Sequence, residues 1–183
     1  MASGFLAMTR DGLAQHYPIK SATWGFAKPA PYLVPVLCFA LETEIQKSIF
    51  SEDRKWPHEP KWELDIWMRG LNESHLLPGS QFSIEGCYDE FTGIVYTMFH
   101  YDEFEGTVLN TVKIKKVEGD FLDLSIEGFI NYTPASMRPT RMTVEGRFTK
   151  RSPHPEIKAQ FNRPGLPPHE APCGAIYSSP LAG

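Results

Sequence analysis

The residues best suited to proton transfer are a histidine and two tyrosines in the middle of the chain. His100 shares the even-numbered positions of an alternating apolar stretch with Tyr96 and Met98, and Tyr88 precedes that stretch. An imidazole close to a phenol could serve as a general acid or base in an isomerisation or a cyclisation. No histidine falls in an HExxH pattern and no serine in a GxSxG elbow. The sequence therefore favours a non-enzymatic protein without metal or cofactor, and it leaves His100, Tyr96 and Tyr88 as the group to consider if there is catalysis.

Two acidic clusters lie within the two copies of a repeated octapeptide, Tyr-Asp-Glu-Phe-x-Gly-x-Val, at 88–95 and 101–108. In each copy the acidic pair opens a turn, and the glycine supplies the positive φ that a bulged hairpin loop needs. Neither cluster offers the six or more spaced oxygens of a calcium site, so the sharper hypothesis is an acidic rim that binds a basic protein. Plain solvated turns are the alternative. The rim would consist of Asp89, Glu90, Asp102, Glu103 and Glu105.

Bulky apolar side chains accompany this rim on odd-numbered positions, which alternation assigns to the outer face of the strands. They are Trp67, Val95 and Phe99. An exposed tryptophan among acids is typical of residues that anchor protein interfaces. Cover by the chain termini would be a purely structural explanation.

A second repeat, Ser/Thr-Ile/Val-Glu-Gly, occurs three times and puts a glycine on an even, core-facing position in each copy. Glycines there let a sheet coil tightly, as small barrels require. Alternatively, they clear space for a ligand inside a barrel. That cavity would be lined by Gly86, Gly128, Gly146, Tyr96, Met98 and His100.

The same repeat puts Glu127 and Glu145 on the outer face. If Ile126 faced Gly146, the two carboxylates would stand directly opposite, which is unfavourable. A shift of two residues would put Glu127 opposite Arg147 instead, and we favour that salt-bridged register.

The elements that must carry these residues are β-strands. Period-two alternation predicts them at roughly 33–45, 61–69, 81–88, 94–101, 107–117, 121–131 and 141–149. The expected fold is all-β: an antiparallel up-and-down meander of about seven to eight strands that forms a strongly curved sheet or barrel. Even positions face the core in most strands. Residues 42–50 could begin a short helix instead, with Ile45 and Ile49 one turn apart.

With 183 residues and 20.7 kDa, the chain fits a single domain, 1–183. We expect an irregular amino-terminal segment over 1–31, a β core over 32–150, and a proline-rich tail over 151–183 that packs on the core. A net charge of −4 argues against nucleic-acid binding. No apolar stretch approaches the roughly 20 residues of a membrane span. Three cysteines without a paired framework indicate free thiols in a reducing cytoplasm.

Two functions from different classes fit these features. The first is a non-enzymatic protein-binding domain whose acidic rim and apolar outer strand recognise a basic partner, as an immunity protein does with its toxin. The second is a lipocalin-like barrel that encloses a small hydrophobic molecule, as a carrier or as an isomerase or cyclase. An apolar patch around Val95, Phe99 and Trp67 would favour the first function, whereas space behind the three glycines would favour the second. Assembly of identical chains into an oligomer is left open.

Overall fold

The computed structural model describes residues 3–10, 13–27, 35–45, 59–88, 95–100, 104–131, 140–151 and 175–180. Ten β-strands lie in these ranges: Gly4–Arg10 (β1), Leu13–Ala27 (β2), Val36–Thr43 (β3), Lys61–Trp67 (β4), Gln81–Ile84 (β5), Thr97–His100 (β6), Phe104–Glu118 (β7), Phe121–Asn131 (β8), Thr140–Lys150 (β9) and Ala175–Ser178 (β10). A single 3₁₀ turn, Glu73–His75, is the one helical element that they contain. None of their helical structure is long and apolar enough to cross a bilayer.

Eight of the strands close into a barrel. Going round the wall, the order is β7, β6, β4, β3, β2, β1, β9 and β8, and β8 pairs with β7 to complete the circle. The pairings are antiparallel apart from a short parallel contact between β2 and β9. The predicted all-β antiparallel barrel is therefore confirmed.

The remaining strands, β5 and β10, lie outside the circle. β5 does not pair with β6, the next strand along the chain, but with β7, just beyond the point where β6 ends. β10 adds to the other edge of β5. The order thus departs from a simple meander at one place, because β7 is long enough to pair with two strands along the same edge.

The prediction of an irregular segment over 1–31 is wrong, since β1 and β2 are two strands of the barrel wall. Leu6, Met8, Tyr17 and Ile19 alternate into the core. Pro18 nevertheless argues against a strand, and a register shift between Ile19 and Ser21 moves the buried series of β2 from odd to even positions. In the proline-rich tail, Ala175–Ser178 is a strand, and 152–174 lies outside the described residues. The ambiguous segment 42–50 is strand as far as Thr43, and its residues from 46 onward also lie outside the described ranges.

The core is filled by the apolar series that alternation predicts. Even positions of β4, β5, β8 and β9 are buried as expected: Trp62, Leu64, Ile66, Phe82, Ile84, Leu122, Leu124, Ile126, Ile130, Met142, Val144 and Phe148. From the opposite wall, β3 contributes odd positions, and the rings of Phe39 and Phe148 meet edge to face with centroids 5.8 Å apart. Each such side chain stabilises the fold by about 1.5–3 kcal/mol relative to leaving it in water.

The register between β8 and β9 differs from both alternatives considered for the sequence. Ile126 pairs with Val144, so that Glu127 lies opposite Thr143 and Glu145 opposite Ser125. The two carboxylates therefore never face one another. Each pairs with a cation on another strand, Glu127 with Arg141 of the adjacent β9, and Glu145 with Lys115 of β7, on the far side of β8. Glu127 forms a salt bridge, as predicted, but its partner is Arg141 and not Arg147.

Candidate functional site

The two halves of the barrel interior differ in polarity. We call the end with the β1–β2, β6–β7 and β8–β9 connections the upper end, and the end with the β7–β8 turn the lower end. Six polar side chains are buried among the described residues, and one of them, Ser80, lies outside the upper half. The other five lie on upper parts of the barrel strands: Thr43, Thr97, Thr107, Asn110 and Thr140.

Four buried side chains form a connected hydrogen-bonding group in the upper half, which we call the Thr107 cluster: Trp62, Thr97, Thr107 and Asn110. Trp62 Nε1 donates to Thr107 Oγ1 over 3.2 Å. Thr97 Oγ1 donates to the Thr107 carbonyl over 2.7 Å and accepts from the Thr107 amide over 2.8 Å. Asn110 Nδ2 donates to the same carbonyl over 2.9 Å. All four residues are at most 2% exposed, so these groups meet in an apolar surrounding.

One atom of the cluster, Asn110 Oδ1, is buried and accepts no hydrogen bond from any residue that the structure describes. Leaving a buried acceptor without a donor costs about 1–3 kcal/mol. On the adjacent strand β8, the atom faces Gly128, where an added Cβ would lie 2.5 Å from Oδ1. Gly128 therefore gives the asparagine side chain its room.

Asn110 points inward because of a bulge in β7. Two residues of this strand, Leu109 and Asn110, oppose the single residue Gly128 of β8. Before the bulge odd residues such as Thr107 face the core, and after it even residues such as Val112 do. Leu109 has φ +53°, the one positive value at a non-glycine residue in the described ranges. A left-handed backbone costs a leucine about 1–2 kcal/mol.

The junction where β5 and β6 separate lies beside this bulge. The Leu109 amide donates to the Glu85 carbonyl over 2.8 Å, and the Tyr96 amide donates to the Cys87 carbonyl over 2.8 Å. A Cβ at Gly106 would lie 2.6 Å from Cys87 Sγ, so the thiol packs directly on the glycine. The octapeptide repeat predicted Gly106 as a turn glycine, which is wrong, because it lies within β7.

The glycines predicted to line a cavity have different surroundings. The space in front of Gly128 is filled by Asn110, and a Cβ at Gly146 would lie 2.6 Å from Ile19 Cδ1. Gly86 is partly exposed, with only backbone atoms of Tyr88 within reach of an added Cβ. Close packing of side chains therefore accounts for Gly128 and Gly146.

The predicted inward direction of His100 and Met98 is wrong. Phe99 and Thr97 occupy the core face of β6, while His100 pairs with exposed Lys61 on the outer face. The error arose because both faces of this stretch are rich in apolar residues, which makes the phase ambiguous. Tyr96 is buried just before β6, and Tyr88 is 44% exposed, in an isolated bridge with Val95.

The predicted apolar outer patch does not exist as an exposed surface. Phe99 is fully buried in the core, and Trp67 is 5% exposed. Leu71 and Leu76, in the connection after β4, are buried as well. Of the three predicted residues, only Val95 is partly exposed.

The predicted acidic rim is largely outside the described residues, where Asp89, Glu90, Asp102 and Glu103 all lie. Glu105 is the exception. It lies in β7 and pairs with Phe99, and its Oε2 atom is buried. For Glu105 the prediction of a loop position is wrong.

The lower end is closed by contacts of a structural kind. Trp24 Nε1 donates to the Asp120 carbonyl over 3.1 Å, and Lys150 Nζ lies 5.4 Å from the Trp24 ring centroid. Lys150 also pairs with Glu73 at 2.7 Å. These contacts join the ends of β2, β7 and β9 to the connection after β4.

On the outer face of the lower half, Arg147 Nε donates to Asp123 Oδ1 over 2.7 Å, and Arg147 Nη2 donates to Asp123 Oδ2 over 2.9 Å. A third bond links Arg147 to Glu118 over 2.8 Å. The hydrogen bonds and charge of Arg147 hold the pKa of the Asp123 carboxyl below its usual range. This bidentate pair fastens β8 to β9.

No cluster of three or more His, Cys, Asp or Glu side chains suited to a metal ion occurs in the part of the chain that the structure describes. Comparison of the chain with protein-family models, with curated proteins and with solved structures finds no match. The candidate site is therefore interpreted from its own geometry. The sequence signal that could have identified it is Asn110, a polar residue in phase with the apolar Val112 and Ile114.

Proposed function

We propose that the protein binds a small, mainly apolar molecule inside the upper half of its barrel. One observation carries the proposal: the Thr107 cluster brings several buried hydrogen-bonding groups together in an otherwise apolar interior. Ligand sites are mostly apolar with a few convergent polar groups, and barrel interiors are a common place for them. Burying a polar atom without a hydrogen bond is unfavourable, so a core that served stability alone would gain by replacing Asn110, whose Oδ1 accepts none from the described residues.

A carrier or sensor role fits this site better than catalysis. The sequence-based isomerase or cyclase hypothesis needed His100 on the interior face, and its position on the outer face removes that support. The Thr107 cluster consists of an indole, two hydroxyls and an amide, none of which titrates near neutral pH. Free thiols at Cys38 and Cys87 support a cytoplasmic setting for the role.

The alternative function, an immunity-type inhibitor of a basic partner, stays a prediction. Trp67 and Phe99, which were expected to anchor a protein interface, are buried in the core and do not form an exposed surface. Four of its five acidic residues lie outside the described ranges. No described residue favours it over the barrel-interior site.

The test is titration of the protein with two pairs of small aromatic molecules, toluene with phenol and indene with indole. We expect one saturable site per chain for at least one of the four, measured by isothermal titration calorimetry. Gly128→Ala should weaken that binding about tenfold, since its Cβ would displace the Asn110 side chain.

Glu127→Ala is the matched control, because it changes the adjacent residue of β8 on the exposed outer face. It should bind as the natural sequence does. Saturable binding of none of the four molecules would refute the proposed function. So would equal affinities of folded Gly128→Ala and Glu127→Ala.

A further inference from the structure

Each of the two bulge residues, Leu109 and Asn110, occupies an environment that would suit the other residue better. Leu109 is 59% exposed in a left-handed backbone conformation, while Asn110 is fully buried. Asparagine adopts the left-handed region far more readily than leucine, and leucine is the better core residue. A one-residue change in the position of the bulge would satisfy both preferences. Disagreement of this kind between local preference and structure is concentrated at functional sites.

Several contacts hold Asn110 in its unfavourable place. Its Nδ2 donates to the Thr107 carbonyl, and the neighbouring Leu109 amide donates to the Glu85 carbonyl. Gly128 leaves the room that the side chain needs. The wall on either side of the bulge is therefore adapted to an inward asparagine.

The same contacts fix which way the amide points. If the amide group were turned over, Oδ1 would face the Thr107 carbonyl, and two acceptors would meet without a hydrogen between them. The oxygen is consequently directed away from Thr107, toward the Gly128 side of the interior. A fixed acceptor without a donor is suited to one kind of partner group, a hydrogen-bond donor.

We propose that Asn110 Oδ1 accepts a hydrogen bond from the ligand, so that the barrel selects small apolar molecules carrying a hydroxyl or N–H group. This inference rests on the proposed function and specifies its ligand class. A ligand whose polar group is only a carbonyl or carboxylate would set lone pairs against Oδ1 and is disfavoured. Since Oδ1 is buried, the ligand reaches it through local separation of the wall, and the bulge interrupts the β7–β8 ladder at that point.

The test compares molecules of the same shape that differ in one donor. Phenol replaces the methyl group of toluene by a hydroxyl, and indole replaces a methylene group of indene by N–H. We expect the natural sequence to bind the donor-bearing member of at least one pair about tenfold more tightly. Asn110→Leu keeps the approximate shape of the side chain without the acceptor, and it should lose the preference for the donor-bearing member, since an unbonded donor is unfavourable in an apolar interior.

A second variant keeps the composition and exchanges the two bulge residues, Leu109→Asn with Asn110→Leu. Each residue then has its locally preferred environment, so we expect a higher Tm together with loss of donor preference. Leu109→Gly is the matched control, because it relieves the left-handed leucine and retains Asn110. It should keep the donor preference.

The outcomes separate the inference from the proposed function. Equal affinities within both pairs for the natural sequence would overturn the role of Asn110 and leave interior binding in place. A donor preference that survives in folded Asn110→Leu would also overturn it, since the acceptor would then lie elsewhere. Absence of saturable binding for all four molecules would remove both.

Discussion

The lower and upper halves of the barrel both contain fully buried side chains, but their buried polar groups differ. The lower half joins aromatic rings such as Phe39 and Phe148 edge to face, and its polar groups near Trp24 are bonded. The upper half contains the Thr107 cluster with an acceptor that lacks a donor. The contacts around Phe148 and Trp24 thus follow the rules for a stable core, whereas Asn110 in the upper half departs from them.

Strand β7 shows the same contrast within one element. A residue within β7 and the residue directly after its end have nearly the same φ: Leu109 with +53° and Gly119 with +57°. At the lower end the residue is a glycine in the β7–β8 turn, which adopts this conformation without strain. At the upper end it is a leucine. Leu109 is therefore the one described non-glycine residue that bears this strain.

The largest expected effect tests whether replacing a buried side chain changes the free energy of unfolding equally in both halves. Phe148→Ala in the lower half should lower the free energy of unfolding by about 3–5 kcal/mol, because it leaves a cavity in a packed core. Asn110→Leu, at equal burial in the upper half, should leave it unchanged or raise it, because an acceptor without a donor is removed. Urea denaturation measures both. A comparable loss in the two variants would contradict the contrast.

An intermediate effect is expected at the two left-handed positions. Leu109→Gly should raise the free energy of unfolding by about 1 kcal/mol, since relief of strain exceeds the extra flexibility of glycine in the unfolded chain. Gly119→Leu should lower it by about 1–2 kcal/mol, since it creates the strain that Leu109 already bears. Thermal unfolding of the pair, with equal m-values in urea, checks the prediction. Changes of the same sign would show that the φ of Leu109 is not strained.

The smallest expected effect concerns the outer face of the lower half. Arg147 lowers the pKa of Asp123, so the ionised carboxylate stabilises the folded state above the usual aspartate pKa of about 4. That contribution is lost as the pH falls through the lower pKa of the folded state. Asp123→Asn should therefore cost about 0.5–1 kcal/mol at neutral pH, given partial exposure of the pair.

The cost of Asp123→Asn should shrink steadily below pH about 4, where the unfolded chain binds the proton first. Unfolding midpoints in urea from pH 7 downward measure it. Added salt should reduce the difference as well. A cost that is the same at every pH would show that the hydrogen bonds of Asp123 matter without its charge.

The contrast between the two halves also marks where sequence reasoning succeeded. The alternation of Leu122, Leu124 and Ile126 is unbroken, and the inward face of β8 was predicted correctly. In β6 both faces carry apolar side chains, so the alternation contains no information about which face is inward. In β2, Pro18 concealed a strand whose partners β1 and β3 supply its pairing.

Alternating polarity by itself determined that the chain forms an all-β, strongly curved antiparallel sheet, because each residue carries its preference for water or core along with it. Tertiary structure alone decided that β5 leaves its sequence neighbour β6 and that Asn110 turns inward. Those features depend on groups remote in sequence, such as Gly128, which gives the side chain room, and Glu85, which accepts the Leu109 amide. A bulge reverses inside and outside only when a partner strand is present to define them.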